Sequence, residues 1–375
     1  MSIVNPHLHH NGTKPMKCVT SIRTLITEKA STTPYFSAAQ LKAIYNVPTV
    51  PVNAGKKRSV VSIIIAFHHP KIQADLANFW KYNNFPGAVP IINIKNLGSN
   101  TNINSTWYSE ACLDTQIVAA MNPNATINLI EAKSASLSNM IAAINTAKTL
   151  GSDVISMSWG ANDNKVFSAS QYGQSLFTNN ICYCASTGDT EWPSWPSVAT
   201  NCIAVGGTSL YSNPRLETTW EKAGCGYSLS NPKPPYQSNI VPPSGVPSAR
   251  YIPDISLVAN PATGVTISVS NKFVIFGGTS LSAPFFGSII SLANQQRFNL
   301  AIPKLGLTSV ASSTQDIHNI LYKTINNTTL FYDVMNGIDK QGSTVFEAKY
   351  GFDLCTGWGS VRDCTELCSY LSTVA

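Results

Sequence analysis

The residues that could do chemistry begin with a serine in a glycine-rich turn. Ser280 lies in Gly277–Pro284, Gly-Gly-Thr-Ser-Leu-Ser-Ala-Pro, between one apolar segment and a longer one. Pro284 suits the first turn of a helix, where its missing N–H costs nothing. Ser280 is therefore expected just ahead of a helix N-terminus, where N–H groups favour negative charge and could bind an oxyanion. A nucleophilic serine and a tight turn capped by Thr279 or Ser280 both fit these residues.

Carboxylates supply the other candidate groups. Glu110 and Asp114 are four residues apart in a predicted helix, hence on one face. Two acids placed together raise each other's proton affinity and can divide into acid and base roles. Asp189 follows a predicted parallel strand at its C-terminal end, where ligands bind in open α/β sheets. Taken alone, a solvated helix face is the commoner explanation for the pair, and a turn cap would explain Asp189.

The histidines restrict which base could activate a serine. Serine nucleophiles usually take their base from His, and the chain has six His residues. Three lie within residues 1–33, His68 and His69 follow the first predicted strand, and His318 lies in a polar segment. Subtilisin-like enzymes share a Gly-Thr-Ser turn and carry their catalytic His in a His-Gly-Thr-His segment. None of the six His residues lies in such a segment. If Ser280 is a nucleophile, its base is predicted to be a carboxylate.

Composition limits the function classes. The chain has 375 residues, 43% of them hydrophobic, which is enough for a sizeable core. Charged residues make up 12%, about half the ~25% of an average domain, so surface charge would change little in acid. The net charge of +6 includes no long basic run, which argues against nucleic-acid binding. No apolar run is long enough for a membrane span.

Nine cysteines leave the thiol chemistry open. No paired Cys-x-x-Cys array is present, which argues against structural zinc. Two groups could each include a disulfide: Cys182, Cys184 and Cys202, and Cys355, Cys364 and Cys368. Burial as small apolar residues is slightly favoured.

Alternating apolar segments predict the fold. The predicted strands are 59–67, 89–94, 126–130, 153–159, 181–186 and 202–205, the predicted hairpin is 265–276, and the predicted helices are 35–49, 72–82, 105–121 and 136–150. Strands separated by helices indicate βαβ units, hence an α/β fold with a mostly parallel central sheet flanked by helices. We predict a disordered polar arm over 1–33, a single domain over 34–375, and long surface loops over 211–262.

Six sequence segments occur in a characteristic order. They are Glu110-x-x-x-Asp114, Ser156–Gly160, Ser186–Asp189, Ala204–Ser209, Pro253–Ser256 and Gly277–Pro284. From about Tyr35 to the C-terminus, the chain resembles the sedolisins, the serine-carboxyl peptidases, which have a subtilisin-like fold.

The resemblance implies a role for each candidate residue. Ser280 would be the nucleophile and Glu110 its general base, with Asp114 orienting and charging Glu110. Asp189 would be the oxyanion residue. A neutral carboxylic acid can donate a hydrogen bond to an oxyanion, whereas an ionised one would repel it. The resemblance therefore implies an enzyme that works in acid.

The resemblance also implies one structural calcium ion near the C-terminus. Its ligands would come from Asp333, Val334, Lys349, Gly351 and Asp353. Asp carboxylates and backbone carbonyls are the hard oxygen donors that Ca²⁺ prefers. Lys349 replaces a glycine of the family pattern, so only its carbonyl could serve. Without the resemblance, the two Asp residues would be ordinary turn residues.

Three further departures separate this chain from the family pattern. Cys225 interrupts a glycine-rich substrate loop and could narrow the cleft. Ala66 stands where some relatives carry an acid that relays to the catalytic Glu, and His68-His69 replace glycines. Relatives usually carry a large propeptide, whereas this sequence reaches the family-like region within about forty residues of Met1. We therefore expect that no propeptide is needed, or that it is made separately or was omitted.

The leading hypothesis is an acid-acting peptidase that cleaves peptides or unfolded proteins and is a monomer. The alternative is a catalytically inactive relative that binds peptides or has a structural role. A third hypothesis, a sugar hydrolase acting through Glu110 and Asp114, leaves Gly277–Pro284 unexplained. The sequence does not separate an endopeptidase from a tripeptidyl-peptidase. Residues 1–18 contain no hydrophobic signal core, and the family implies an acidic compartment or an extracellular setting.

Overall fold

A computed structural model describes most of the chain. The described residues are 16–20, 23–24, 35–99, 101–168, 172–173, 175–178, 180–212, 214–306, 316–324 and 327–374. The helices are α1 (Ala38–Ile44), α2 (Ile72–Tyr82), α3 (Ser105–Met121), α4 (Leu137–Thr149), α5 (Thr279–Asn299), α6 (Ile317–Asn319), α7 (Asn327–Leu330) and α8 (Cys364–Thr373).

The strands range from two to ten residues in length. They are β1 (Val19–Thr20), β2 (Arg23–Thr24), β3 (Val60–Ala66), β4 (Ile92–Asn96), β5 (Thr126–Ala132), β6 (Val154–Met157), β7 (Trp159–Asn162), β8 (Cys182–Ser186), β9 (Ser194–Trp195), β10 (Ile203–Ser212), β11 (Arg215–Thr219), β12 (Gly226–Pro232), β13 (Ala249–Ile252), β14 (Ile255–Val258), β15 (Val265–Val269), β16 (Lys272–Gly277), β17 (Phe331–Tyr332), β18 (Ile338–Gln341), β19 (Thr344–Glu347) and β20 (Ser360–Val361).

The central sheet has the order β11-β10-β8-β6-β3-β5-β4, and β14 pairs with β10 outside this path. The neighbours from β4 through β10 are all parallel, as is the β10–β14 pair, and only β11 runs antiparallel to β10. This arrangement confirms the predicted mostly parallel sheet. Parallel strands need crossover connections, so their carboxyl ends collect along one edge of the sheet.

Helices pack against the central sheet. Helix α5 packs against α3, α8 and strands β6, β8 and β10. It is buried along most of its length, and its buried side chains include polar ones such as Ser282 and Ser288. Helix α4 packs against β3 and β5. None of the helices in the described residues is long and apolar enough to cross a membrane.

Several helices and strands lie where the sequence predicted them. Residues 72–82 and 105–121 form helices as predicted. Ser37 caps α1 in a reciprocal box with Gln40, and the 265–276 hairpin forms. The strand predicted over 89–94 lies instead at Ile92–Asn96. The strand predicted over 153–159 ends at Met157, and the chain then enters β7 in a different sheet.

The prediction of surface loops over 211–262 was wrong. The region contains β11 to β14, and β14 belongs to the central sheet. Arg250 and Asp254 are fully buried here and form an ion pair with Nη2 and Oδ2 2.5 Å apart. Frequent Pro and Gly, together with buried polar side chains, hid the apolar alternation from which strands are predicted.

Part of the predicted arm has regular structure. Val19–Thr20 pairs with β7, and Arg23–Thr24 pairs with β16. Cys18 is buried. Residues 1–15, 21–22 and 25–33 lie outside the described residues, so disorder there and the domain boundary stay predictions.

All nine cysteines lie in the described residues, where each is buried with a free thiol. The groups suggested for disulfides therefore contain none, and the preferred interpretation of burial as small apolar residues is confirmed.

Candidate active site

Ser280 occupies the first turn of α5. Gly278 caps that helix with a φ of 99°, a conformation that L side chains rarely adopt and that glycine reaches without strain. Ser280 is fully buried, and its Oγ donates to the carbonyl oxygen of Ser158 at 3.3 Å. The predicted strand-to-helix turn is present and places the hydroxyl at a helix N-terminus, inside the protein. The predicted helix start was wrong, because α5 begins at Thr279, ahead of Ser280, and Pro284 lies inside the helix instead of in its first turn.

The two carboxylates of α3 are buried beside this serine. Glu110 and Asp114 are both fully buried, so neither lies on a solvated helix face. Burial raises the pKa of Glu110 well above its usual range, and the charges of Asp114 and, to a smaller extent, Asp189 raise it further. The hydroxyl of Ser280 acts in the opposite direction on the pKa of Glu110, which places the two side chains next to each other.

The carboxylate of Glu110 makes no hydrogen bond to any described residue. Neither of its carboxylate oxygens has a partner among the described residues, although both are buried. The Ser280 hydroxyl is the nearby donor, and in this structure it is directed at Ser158. A rotation of the Ser280 side chain would therefore be needed to form the serine–glutamate bond.

Ser158 connects the acid pair to the serine. Its Oγ donates to Oδ1 of Asp114 at 2.8 Å and lies 3.4 Å from the carbonyl oxygen of Ser280. Burial raises the pKa of Asp114 well above its usual range, and the Ser158 bond opposes this shift. Ser158 follows the end of β6, within the Ser156–Gly160 segment. The segment was recognised from sequence, but no role was predicted for this hydroxyl.

Asp189 approaches the same helix from the loop after β8. Its Oδ1 accepts the backbone N–H of Thr279 at 2.9 Å and the Thr279 hydroxyl at 2.9 Å. The backbone N–H of Gly188 donates to the same hydroxyl oxygen at 3.1 Å. Asp189 is thus fixed to the first residue of α5. Thr279 is a second positioning residue that the sequence argument treated only as a possible cap.

The four predicted site residues therefore meet in one buried place. A serine hydroxyl, a coupled pair of acids and a third carboxyl surround the N-terminus of α5. Two acids of raised pKa can hold one proton between them and release it at a higher pH than an exposed acid would. The group can accept a proton from a hydroxyl and place a carboxyl beside a developing oxyanion.

The residues predicted to bind calcium also converge. Oδ1 of Asp353 accepts the backbone N–H groups of Cys355 and Thr356, both at 2.8 Å, and Oδ2 accepts that of Lys349 at 3.1 Å. Burial raises the pKa of Asp353 to about 6.

Asp333 faces the same turn. Its Oδ2 accepts the N–H of Gly351 at 3.0 Å, and its Oδ1 is buried with no hydrogen-bond partner among the described residues. Val334 next to it is buried. Two carboxylates that share one turn, with one orphaned buried oxygen, fit a calcium ion, because Ca²⁺ takes carboxylate and carbonyl oxygens.

The histidines that replace family glycines form their own network. Nδ1 of His68 lies 2.6 Å from Oε2 of Glu131, and the N–H of His69 donates to Oε1 of Glu131 at 2.8 Å. Glu131 lies near the end of β5, which pairs with the end of β3 at Ala66. An acid therefore does lie near this sheet edge, but it comes from the neighbouring strand.

His69 lies in a buried cluster with Asp75 and Cys112. Its Nε2 is 3.0 Å from Sγ of Cys112 and 3.9 Å from Oδ2 of Asp75. Such a cluster could hold a metal ion through Nε2. However, Nδ1 accepts the N–H of Lys71 at 3.3 Å, so Nε2 must carry the proton of a neutral ring. Burial lowers the pKa of His69 to about 4, which keeps the ring neutral, and the contacts indicate a hydrogen-bond network.

Cys225 does not bear out the suggestion of a narrowed cleft. Its side chain is fully buried in a small cluster with four other residues: Tyr251, Phe346, Leu354 and Cys355. Its Sγ donates to the carbonyl oxygen of Lys340 at 3.3 Å. The thiol is thus part of a small second hydrophobic core.

Comparisons with known proteins identify the family of the chain. A model of the subtilase family matches residues 97–352. Sedolisin from Pseudomonas sp. (strain 101) is 31% identical over 274 residues, covering 69% of this chain and 43% of the relative. Kumamolisin from Bacillus sp. (strain MN-32) is 27% identical over 284 residues, covering 67% and 49%. The chain therefore spans about half the length of these relatives.

A solved structure shares the fold. Pseudomonas sedolisin, described as a serine-carboxyl proteinase complexed with two molecules of pseudo-iodotyrostatin, superposes with a TM-score of 0.71 at 24% identity. The match covers 91% of this chain and 99% of that one. This likeness establishes the subtilisin-like fold.

We expect Asp114→Asn to raise the free energy of unfolding at pH 7. The folded-state pKa of Asp114 is raised, so above the unfolded-state pKa of ~4 the folded protein binds more protons and loses stability as pH rises. Asn keeps an oxygen that can accept the Ser158 hydrogen bond. It carries no charge, so the repulsion between the charges of residues 110 and 114 is lost. We therefore expect a gain in the free energy of unfolding at pH 7 that shrinks toward pH 4.

Urea unfolding followed by circular dichroism at several pH values measures this gain. Asp363→Asn is the matched control, because Asp363 caps α8 outside the site and Asn caps a helix about as well. A variant of Asp114 that is less stable than the wild type at pH 7 would contradict the account.

Proposed function

Because the chain belongs to the subtilase family and to its sedolisin branch, we propose that it is a serine-carboxyl peptidase that hydrolyses peptide bonds in acid. The observation that carries the proposal is the buried meeting of Ser280, Glu110, Asp114 and Asp189 at the N-terminus of α5. The substrate would be a peptide or an unfolded protein, since the reaction needs an extended backbone beside Ser280.

In the proposed reaction, Ser280 is the nucleophile. Its Oγ attacks the scissile carbonyl carbon, and its proton passes to Glu110. The tetrahedral intermediate collapses to an acyl ester on Ser280 as Glu110 returns the proton to the leaving amine. Water then attacks the ester with Glu110 again as base, which releases the acid product and restores the hydroxyl.

Asp114 sets the charge state of the base in this proposal. The two buried acids titrate as one unit, so the singly ionised pair holds one proton and one negative charge. For Glu110 to act as the base, the negative charge must lie on Glu110 and the shared proton on Asp114, whose Oδ1 accepts the Ser158 hydroxyl. Proton transfer from Ser280 then discharges the negative charge of the pair instead of creating a new buried charge.

Asp189 is the proposed oxyanion residue. Its Oδ1 already accepts two hydrogen bonds from Thr279, so the other oxygen would carry the proton and donate a hydrogen bond to the oxyanion. Only a neutral Asp189 can do this, because an ionised carboxylate would repel the intermediate. This requirement is the physical reason to expect activity in acid.

The proposal is tested by hydrolysis of an unfolded protein from about pH 3 to pH 8. We expect activity in acid that Ser280→Ala lowers by at least ~10³-fold, because the covalent step is lost. Ser288→Ala is the matched control, since Ser288 is a buried serine of the same helix whose Oγ donates to the Pro284 carbonyl oxygen at 2.7 Å. Peptide binding without turnover would instead favour the inactive, peptide-binding alternative.

Asp189→Asn tests the oxyanion role separately. Asn donates a hydrogen bond at every pH, so the variant should keep part of its activity and lose the decline that the wild type shows as pH rises. Asp189→Ala should cost ~10²–10³ in kcat, as the loss of an oxyanion donor typically does. An unchanged pH profile in the Asn variant would contradict the role of Asp189.

We further propose a structural calcium ion held by the carboxylates of Asp333 and Asp353 and the carbonyls of Val334, Lys349 and Gly351. When bound, the ion would neutralise two acids that share one turn. We expect calcium to raise the thermal unfolding temperature, with about 2.7 kcal/mol of stabilisation at free calcium of 100 times Kd.

Thermal unfolding in excess calcium and in EGTA measures this stabilisation without reference to activity. Asp333→Asn should abolish the calcium-dependent gain, while Asp363→Asn keeps it. Equal unfolding temperatures for the wild type with calcium and with EGTA would exclude the site.

A further inference from the structure

A two-stranded sheet outside the central sheet leaves one strand edge open. Strand β19 pairs antiparallel with β18, its only partner strand among the described residues. In the same register, the N–H of Ala348 donates to the carbonyl oxygen of Gly337 at 3.0 Å. Bonded and non-bonded pairs alternate along an antiparallel ladder, so Val345 and Glu347 belong to non-bonded pairs. Their backbone N–H and carbonyl groups therefore point away from β18.

A groove of about 360 Å³ runs beside this open edge. All four residues of β19, Thr344–Glu347, line it. Successive side chains of a strand point to opposite faces of its sheet, so a groove that meets four residues in a row lies along the edge of the strand. We call it the β19 groove.

The opposite wall and the floor of the β19 groove are apolar. The wall is the 240–246 loop, which includes Pro242 and Pro243. Proline has no N–H, so these two positions cannot donate hydrogen bonds as a second strand would. Two further lining residues, Ile240 and Phe352, pack against the small second hydrophobic core. The β19 groove therefore offers free backbone groups on one side and apolar surface on the other.

Apolar side chains are exposed on both walls. Val241 is 85% exposed, and Val345 on the opposite wall is 51% exposed. Exposed apolar residues are ordinary when scattered, but two on opposite walls of one groove indicate a binding surface. The charged lining residues are Glu347, Lys349 and Asp353, and the carboxylate of Asp353 already accepts backbone N–H groups. The lining therefore favours an apolar ligand over one of either charge.

The turn between β18 and β19 reaches the active-site loop. A Cβ at Gly342 in this turn would lie 2.6 Å from Cζ2 of Trp192, so the backbone of the turn rests against the indole ring. Trp192 comes three residues after Asp189 and is 39% exposed. Strand β19 starts two residues after Gly342, at Thr344. One end of the open edge therefore lies near the loop that carries Asp189.

The floor of the β19 groove is connected to the same loop. Leu354, which lines the groove, accepts the N–H of Gly226 through its carbonyl oxygen at 3.2 Å. Gly224, two residues earlier, donates its N–H at 2.8 Å to the carbonyl oxygen of Gly188, the residue before Asp189. Backbone contacts thus connect the groove to the proposed oxyanion residue.

We propose that the β19 groove binds an extended, apolar segment of the unfolded-protein substrate, at a distance from the bond that is cut. An open strand edge binds an extended backbone, and apolar surface beside it selects alternate side chains. The groove has a wall on each side, so it admits a single free strand, whereas the edge of a folded second copy brings neighbouring strands with it. The identity of the ligand as substrate rests on the proposed peptidase function, but its binding needs no turnover.

Binding in the β19 groove acts on long substrates only. A chain held there keeps its other part near Ser280, at an effective concentration of about millimolar for a short linker. This attachment lowers KM for a long chain and leaves kcat unchanged, because the groove does not touch the reacting atoms. A short peptide that occupies only the site at Ser280 gains nothing from the groove.

Peptide binding to the full-length Ser280→Ala protein tests the groove without turnover. The probe is a fluorescein-labelled peptide, Lys-Val-Thr-Val-Thr-Val-Lys, followed by anisotropy in excess calcium. Val345→Pro removes a free N–H from the edge, and proline is tolerated in an edge strand where the N–H faces outward. We expect this change to weaken probe binding ~10-fold, because a carbonyl oxygen of the probe loses its partner.

Val345→Thr is the matched control, because it changes the same exposed side chain and keeps the N–H. It should bind the probe as the Ser280→Ala parent does. Weaker binding in this control, equal to that of Val345→Pro, would overturn pairing through the edge.

Val241→Asn tests the opposite wall. Val241 is 85% exposed, so the change leaves the core intact. We expect it to weaken probe binding at least ~3-fold, because an apolar contact is lost without a change of charge. Equal affinity in the parent, Val345→Pro and Val241→Asn would overturn the β19 groove as a peptide site.

Hydrolysis by the enzyme with Ser280 intact tests whether the ligand is the substrate. The measured quantity is kcat/KM for a long unfolded protein divided by kcat/KM for a short fluorogenic peptide, both in acid. We expect Val345→Pro to lower this ratio ~10-fold through KM of the long substrate, and Val345→Thr to keep it. A residue that only stabilised the fold would lower both values and leave the ratio unchanged.

The outcomes separate this proposal from the peptidase function. Hydrolysis with a ratio that Val345→Pro leaves unchanged would overturn the substrate role and leave the proposed function standing. Probe binding that Val345→Pro weakens, with no hydrolysis of any substrate, would support the peptide site and refute the peptidase function. A dimer in size-exclusion chromatography that Val345→Pro separates and Val345→Thr does not would mean that a second copy occupies the groove, which would overturn the proposal.

Discussion

The structure depends on the burial of two carboxylates, Glu110 and Asp114, beside the hydroxyl of Ser280. Helices α3 and α5 pack side by side, and this packing brings Glu110 and Asp114 to the first turn of α5. Burying an ionised acid is costly unless it is hydrogen-bonded or shares a proton. Ser158 and the coupling of the two acids lower that cost, so the same contacts that stabilise the fold set the proton affinity of the site.

Parallel sheet topology explains how distant segments reach one place. Strands β6 and β8 are neighbours and run in the same direction, so their carboxyl ends lie at the same edge. Ser158 follows the first of these strands and Asp189 the second. Helix α5 presents its N-terminus at this edge, where Thr279 holds Asp189 through a backbone and a side-chain bond. The site is thus built from the segments that follow two strands, the N-terminus of α5 and the middle of α3.

Much of this could be predicted from sequence because the signals are local. Helix α3 has the predicted bounds, and the spacing of Glu110 and Asp114 already placed them on one face. The burial of that face, the bond from Ser158 to Asp114 and the role of Thr279 depend on contacts between distant segments, which spacing does not reveal. The strands within 211–262 were missed because buried polar residues such as Arg250 replace the apolar alternation. The pairing of Val19–Thr20 with β7 left no pattern in so short and polar a segment.

The most direct test of the account is whether Ser280 adds to a carbonyl in acid with Asp189 as the donor. A peptide aldehyde labelled with ¹³C at its carbonyl, added in excess, reports this addition by NMR as a tetrahedral hemiacetal carbon. The account predicts this signal for the wild type in acid, its absence in Ser280→Ala, and a weaker signal in Asp189→Ala. A protein-bound hemiacetal signal of equal strength in Ser280→Ala would contradict it, since the adduct would then form elsewhere.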